Sequence, residues 1–154
     1  MSEEEITRQV DHEDTQKDKY LTFCLAEEDY GLDIGDVIEI IGVQKITQVP
    51  DLPPYIKGVI NLRGQVIPVM DMRLRFQLPP QKYDQRTCIV VTEVAGLSMG
   101  LVVDRVNEVV DIPESQVEPP VTQTAGHANS YVKGLGKIGE NIRILLDTEK
   151  ILAA

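Results

Sequence analysis

A chain of 154 residues with 42% hydrophobic residues suits one domain, or two small lobes sharing a core. Aromatics are only 5% and Trp is absent, so the core must be built from Val, Ile and Leu. The formal charge of −10 argues against nucleic-acid binding, and no apolar run approaches membrane-spanning length.

Residues 1–18 carry seven acids against Arg8 and Lys17, with Ile6 and Val10 as the main hydrophobes. So polar a segment cannot offset its ordering entropy and is expected to be a disordered acidic tail. With no apolar leader, the chain is expected in the cytosol. Cys24 and Cys88 sit in apolar, strand-like runs and read as reduced core residues.

From Tyr20 the pattern changes. Residues 20–25 read as a first strand, Glu27-Glu28-Asp29 as a turn, and 30–34 as the returning strand. Residues 33–37 are predicted to form one helical turn with Asp36 as its cap, before a strand over 38–43. The proline-rich stretch 49–54 connects to two apolar runs, 59–62 and 66–70, flanking Arg63 and Gly64. Both runs are rich in β-branched residues and too short for a helix, so they read as a hairpin. Gly64 supplies the turn's backbone freedom; Gly58 marks a place where a side chain would obstruct the φ angle or a neighbouring strand. Arg63 is a permanent cation between two core-forming strands. Lys57, Arg63, Arg73 and Arg75 could make a local basic patch, although scattered solvated charge is the commoner outcome.

Pro79-Pro80 and the polar residues 81–86 mark an internal boundary between two strand clusters. The second cluster reads as strands over 87–94, 97–103 and 106–112, then a long loop over 117–130. A final hairpin over 131–138 and 142–146 follows, with a short helical turn over 148–152. No residue-level repeat is evident. Many short strands without a long amphipathic helix indicate an all-β fold of barrels.

Catalytic patterns are scarce. Gly134-Leu-Gly-Lys-Ile-Gly139 matches a dinucleotide-binding spacing, but the glycines run into Ile-Arg-Ile-Leu-Leu, a strand, where a phosphate site needs a helix N-terminus. His12 and His127 lack spaced Cys or His partners for a transition metal, and no nucleophile-elbow sequence occurs. Asp71 with Asp104 is a conceivable carboxylate pair. No cofactor, metal or catalytic group is expected.

Gly58-Val-Ile-Asn-Leu-Arg-Gly-x-Val-Ile-Pro-Val-x-Asp-x-Arg73 resembles the central signature of the CheW family of chemotaxis coupling proteins. Tyr30-Gly-Leu-Asp-Ile34, Val37-Ile-Glu-Ile-Ile41, Gly100-Leu-Val-Val-Asp104, Tyr131-Val-Lys-Gly-Leu-Gly136 and Ile144-Leu-Leu-Asp147 fall in the family order, so the resemblance spans 19–152. It implies two packed five-stranded SH3-like β-barrels with short helical turns, here divided near 79–86. It also implies a non-catalytic adaptor joining chemoreceptor signalling tips to the regulatory domain of the histidine kinase CheA, recruited to membrane-associated arrays. Carried over by position, receptor binding would fall to Val37, Glu39, Lys57, Gly58 and Arg63, with Glu39 and Arg63 paired across neighbouring strands. Val109 and Gly134 are further partner-contact candidates. The kinase surface would use exposed apolar residues of the second lobe. A relative serving another sensory or motility pathway, and a small β-barrel enzyme or ligand binder, are the alternative readings.

Overall fold

The computed structural model describes residues 16–120 and 131–153. Expectations for residues 1–15, including His12, and for 121–130, including His127, lie outside the described residues. Eleven strands are present among those described: β1 (Lys19–Leu25), β2 (Glu28–Asp33), β3 (Val37–Gly42), β4 (Ile56–Leu62), β5 (Gln65–Asp71), β6 (Cys88–Val94), β7 (Leu97–Val103), β8 (Arg105–Asp111), β9 (Val117–Glu118), β10 (Val132–Ile138) and β11 (Asn141–Leu146). Two short helices, α1 (Met72–Arg75) and α2 (Thr148–Leu152), follow β5 and β11.

The strands form a six-stranded sheet in the order β8-β1-β2-β11-β10-β9 and a five-stranded sheet in the order β3-β6-β7-β5-β4. This all-β architecture agrees with the sequence reading, but the partition between the sheets does not fall at 79–86. That loop joins α1 to β6, within the five-stranded half. The chain passes from one sheet to the other at 33–37 and again at 103–105. The physical reason is hairpin exchange. Hairpin β1–β2 pairs with β8 and β11 from late in the chain, while β6–β7 pairs with β3 and β5 from early in it.

The two halves repeat each other in register, a repeat that was not evident in the sequence. Gly100 lies opposite Val69 in the parallel pair β5–β7, and Gly31 opposite Leu145 in the parallel pair β2–β11. β4 and β10 each carry a bulge directly before a glycine, Gly58 and Gly134. Asp71 N donates to Tyr55 O at 2.8 Å and Asp147 N to Tyr131 O at 2.7 Å. Each of these aspartates then caps its helix, accepting from Leu74 N and Lys150 N at 3.2 Å. Once aligned, Tyr55-Ile-Lys-Gly-Val matches Tyr131-Val-Lys-Gly-Leu, and Val37-Ile-Glu-Ile-Ile matches Val106-Asn-Glu-Val-Val.

Each sheet curls until its last strand meets a continuation of its first. Beyond β3, Thr47 pairs with Val59 through hydrogen bonds of 2.8 and 2.9 Å; beyond β8, β9 pairs with β10. Three apolar clusters result. One lies within the five-stranded sheet (Ile60, Ile67, Val69, Ile89, Val91, Val102) and a small one within the other (Tyr20, Ile112, Leu145). The largest is shared, drawing Phe23, Leu32 and Leu146 from one sheet and Met70, Val90 and Leu101 from the other. A stack of rings from Phe23 through Tyr30 and Phe76 to Tyr131, with centroids 5.6–5.8 Å apart, runs through the same seam. Each fully buried aliphatic side chain contributes about 1.5–3 kcal/mol, so this shared core fastens the barrels together. The helical turn at Ile34–Asp36 occurs where expected, but its cap is Asp33, which accepts from Gly35 N at 2.9 Å, and not Asp36. Asp33 lies outside the turn, where its carboxylate can reach the first free amide; Asp36 is already within the turn.

Gly58 is the tightest point. Its φ is +142°, and an added Cβ would lie 2.1 Å from Thr47 O. At Gly134 the corresponding atom would meet Val117 Cγ1 at 2.7 Å and Glu118 O at 3.0 Å, with ordinary φ; Gly64 has φ +85° but open space. Alanine substitution should therefore destabilise in the order Gly58→Ala, about 3 kcal/mol or more, then Gly134→Ala and Gly64→Ala, about 1–2 kcal/mol each. Equilibrium urea unfolding checks the order, and a Gly58→Ala protein as stable as the other two would contradict it.

Candidate functional site

The β4–β5 hairpin ends in a two-residue loop in which both Arg63 (φ 53°) and Gly64 (φ 85°) are left-handed, with Asn61 Oδ1 accepting from Gly64 N at 2.8 Å. Ala95-Gly96 and Ala26-Glu27 make the same type of turn. The left-handed Arg63 thus reflects hairpin twist and not special strain. From this tip the Arg63 guanidinium pairs with the Glu39 carboxylate on β3. The pair exists as expected, but not across neighbouring strands. β3 and β4 are the two end strands of the five-stranded order, so the contact spans the mouth of the curled sheet. Arg63 is 71% exposed and Glu39 26%, making it a surface pair worth about 0.2–1 kcal/mol.

The other expected contact residues separate. Lys57 is exposed on β4, and Val37 is half-buried against the shared core. Gly58 and Gly134 are buried, so neither presents a surface; each makes room for the strand that closes its barrel. Val109 is exposed on β8, in the other sheet. Sequence reading missed the apolar exposure on β3 and β5: Ile38 is 54% exposed, Ile40 43%, and Val66 66%. The run Val37-Ile-Glu-Ile-Ile, with one polar residue on an end strand, was the available signal.

The basic patch does not form, because three of its four cations are engaged. Arg63 holds Glu39. Arg75 lies between Tyr55 and Tyr131, 4.6 Å from each ring centroid. Arg73 grips Asp104 with two bonds, Nε to Oδ1 at 2.8 Å and Nη2 to Oδ2 at 2.7 Å. Asp104 Oδ2 also accepts from Ala26 N at 2.9 Å, and Arg73 Nη1 donates to Pro79 O at 2.8 Å. Burial pushes the Asp104 carboxyl up, but its bonds from Arg73 and Ala26 outweigh that and hold it below the ordinary carboxylate value.

Asp71 and Asp104 do line one cavity, together with Arg73 and Tyr83, but it measures about 20 Å³, room for a single water. Asp71 is occupied by capping Leu74 N and by accepting from Tyr83 Oη at 2.6 Å. The pair is structural. Gly134 and Gly136 lie within β10, and Gly139 turns the β10–β11 hairpin with φ +60°. No helix N-terminus follows them, so the phosphate-cradle geometry is missing. Cys24 and Cys88 are both free thiols. Among the described residues no group of His, Cys, Asp and Glu could hold a metal, and no helix is long and apolar enough to cross a membrane.

Comparison with known proteins gives a consistent match. A family model described as the CheW-like domain covers residues 19–154. The chemotaxis protein CheW of Klebsiella aerogenes is 37% identical over 141 residues, 92% of this chain and 85% of that protein. The chemotaxis protein CheW of Bacillus subtilis is 38% identical over 135 residues, 88% of this chain and 86% of that one. The crystal structure of the scaffolding protein TtCheW from Thermoanaerobacter tengcongensis superposes with a TM-score of 0.78 at 40% identity, covering 84% of this chain and 88% of that one.

The Arg73–Asp104 pair generates a test with a definite sign. The folded carboxyl titrates below its ordinary value near 3.8, so its stabilisation is complete above that value and fades as pH falls through the lower, folded one. Asp104→Asn should cost about 2–4 kcal/mol at neutral pH, with the two proteins converging in acid. Urea midpoints measured from pH 7 down to 2.5 check this; a pH-independent difference would contradict it.

Proposed function

This chain belongs to the CheW-like family and is an adaptor of chemotaxis signalling; from that premise we propose that it couples chemoreceptor signalling tips to the regulatory domain of the histidine kinase CheA. The observation that carries this reading is the mouth of the five-stranded barrel, where Arg63 reaches Glu39 on β3, a strand that also exposes Ile38 and Ile40. A surface ion pair on a strand that also exposes apolar side chains suits an apolar partner helix carrying a few polar groups. Val37 and Lys57 complete the receptor side, and Gly58 supports it by holding β4 against Thr47. The kinase side uses the exposed apolar residues of the six-stranded sheet, Val109 and Ile142 among them.

The adaptor works without catalysis, in the cytoplasm beside receptor arrays. It stabilises one arrangement of its partners through contacts that differ between their signalling states. A shared core under both sheets joins the two surfaces in one body, so contacts at one can bear on the other.

Arg63→Ala and Glu39→Ala should each weaken receptor-tip binding about tenfold while costing less than about 1 kcal/mol of folding stability. The double variant should lose less than the sum of the singles in receptor affinity, because the partners act together. Titration calorimetry with a receptor-tip fragment and, separately, with the kinase regulatory domain checks this. Unchanged receptor binding in both singles, or equal loss of kinase binding, would contradict the proposed surface.

A further inference from the structure

The two crossings between the sheets occupy equivalent places in the repeat but are built differently. At 103–105, Asp104 is held by Arg73 from α1 and by Ala26 N, and its own amide donates to Cys24 O at 3.1 Å. At 33–37 the equivalent of Asp104 is Gly35, and the equivalent of Arg73 is Glu149 on α2. The ion pair is therefore missing there, and Gly35 N is held by Asp33 of its own turn.

Beside Gly35, half-buried Asp36 faces Thr148 at the start of α2. The Thr148 hydroxyl is buried and completes no hydrogen bond. Asp33, Asp147 and Lys133 are the other charges facing Asp36. Burial raises the Asp36 carboxyl, the facing Thr148 hydroxyl opposes the rise by favouring the charged form, and Asp33 adds to the rise. One crossing is clamped by a bidentate ion pair; the other has no such pair and leaves the buried Thr148 hydroxyl without a completed hydrogen bond.

We propose that the Ile34–Asp36 crossing and the first turn of α2 form a compliant seam, through which a partner bound on β3 alters the six-stranded barrel. β3 begins at Val37, directly after the crossing, and Glu39 is its third residue. α2 buries Ile151 and Leu152 in the shared core, so movement of its first turn reaches both sheets. The transmission step rests on the receptor-docking role of β3; the difference between the seams does not.

Hydrogen exchange on the full chain tests the difference directly. Amides of 35–37 and 148–151 should exchange about tenfold or more faster than those of 73–76 and 104–106. Equal protection at the two crossings would overturn the proposal. Gly35→Asp with Glu149→Arg installs the missing pair; Gly35 has no left-handed φ, and its added Cβ would meet only Asp33 Oδ1, at 3.2 Å. Glu149→Arg alone supplies a cation beside Thr148 and serves if the double variant does not fold. Either variant should slow exchange at this seam about tenfold and leave receptor-tip affinity within about twofold. It should also reduce the tip's control of kinase activity in a reconstituted assembly by about half or more. Full receptor control in a variant with a protected seam would overturn the transmission step. Failure of the unmodified protein to bind receptor tips would instead overturn the docking role, with the exchange comparison still deciding the seam.

Discussion

Hairpin β1–β2 takes its hydrogen bonds from β8 and β11, and hairpin β6–β7 takes them from β3 and β5. The six-stranded sheet therefore needs strands from both ends of the chain, whereas the five-stranded sheet is complete within residues 37–103 and packs on it through the shared core. The exchange forces the chain to cross twice between the sheets, and it explains where the strongest polar interaction sits. Asp104 lies at one crossing and joins α1, the β1–β2 turn and the start of β8 through Arg73 and Ala26. It also explains why the largest core cluster belongs to both sheets. Long-range pairing of this kind carries a loop-closure cost, set against aliphatic burial on both faces of strands such as β6.

A chain organised in this way suits an adaptor better than a catalyst. Its ionisable groups near the seam are committed to structure: Asp71 to a helix cap and Tyr83, Asp104 to Arg73, Arg75 to two tyrosine rings. Apolar residues remain exposed on both barrels, Ile38, Ile40 and Val66 on one, Val109 and Ile142 on the other. Within the repeat, Val66 matches Ile142 and Ile40 matches Val109, so the two ends of the molecule carry related apolar features. They differ in charge. Arg63, which reaches Glu39, is replaced at the other end by Gly139, and Glu108 stands exposed in the place of Glu39. A scaffold with similar but distinguishable ends can take different partners at each without a new fold for either.

Much of this was legible in the sequence. The β4–β5 hairpin followed from two β-branched runs around Arg63-Gly64, and the dinucleotide-like glycines were correctly read as strand and turn residues. The Glu39–Arg63 pair was legible through the family resemblance. Its location at the barrel mouth was not, because strand order in a curled sheet is set by distant pairings. The repeat stayed hidden for a related reason. Equivalent positions keep shape more than identity, as with Val69 and Leu145, and the connections to Tyr55 and Tyr131 differ in length. The 79–86 boundary misled because a polar, proline-rich loop signals a break between elements, whereas hairpin exchange decides which elements share a barrel.

The central claim, that one molecule holds two partners on separate surfaces, is tested most directly by assembling all three components. Sedimentation of the chain with a receptor signalling tip and the kinase regulatory domain should reveal a ternary complex in which the chain binds both at once. Mutually exclusive binding, with each partner displacing the other, would contradict the account.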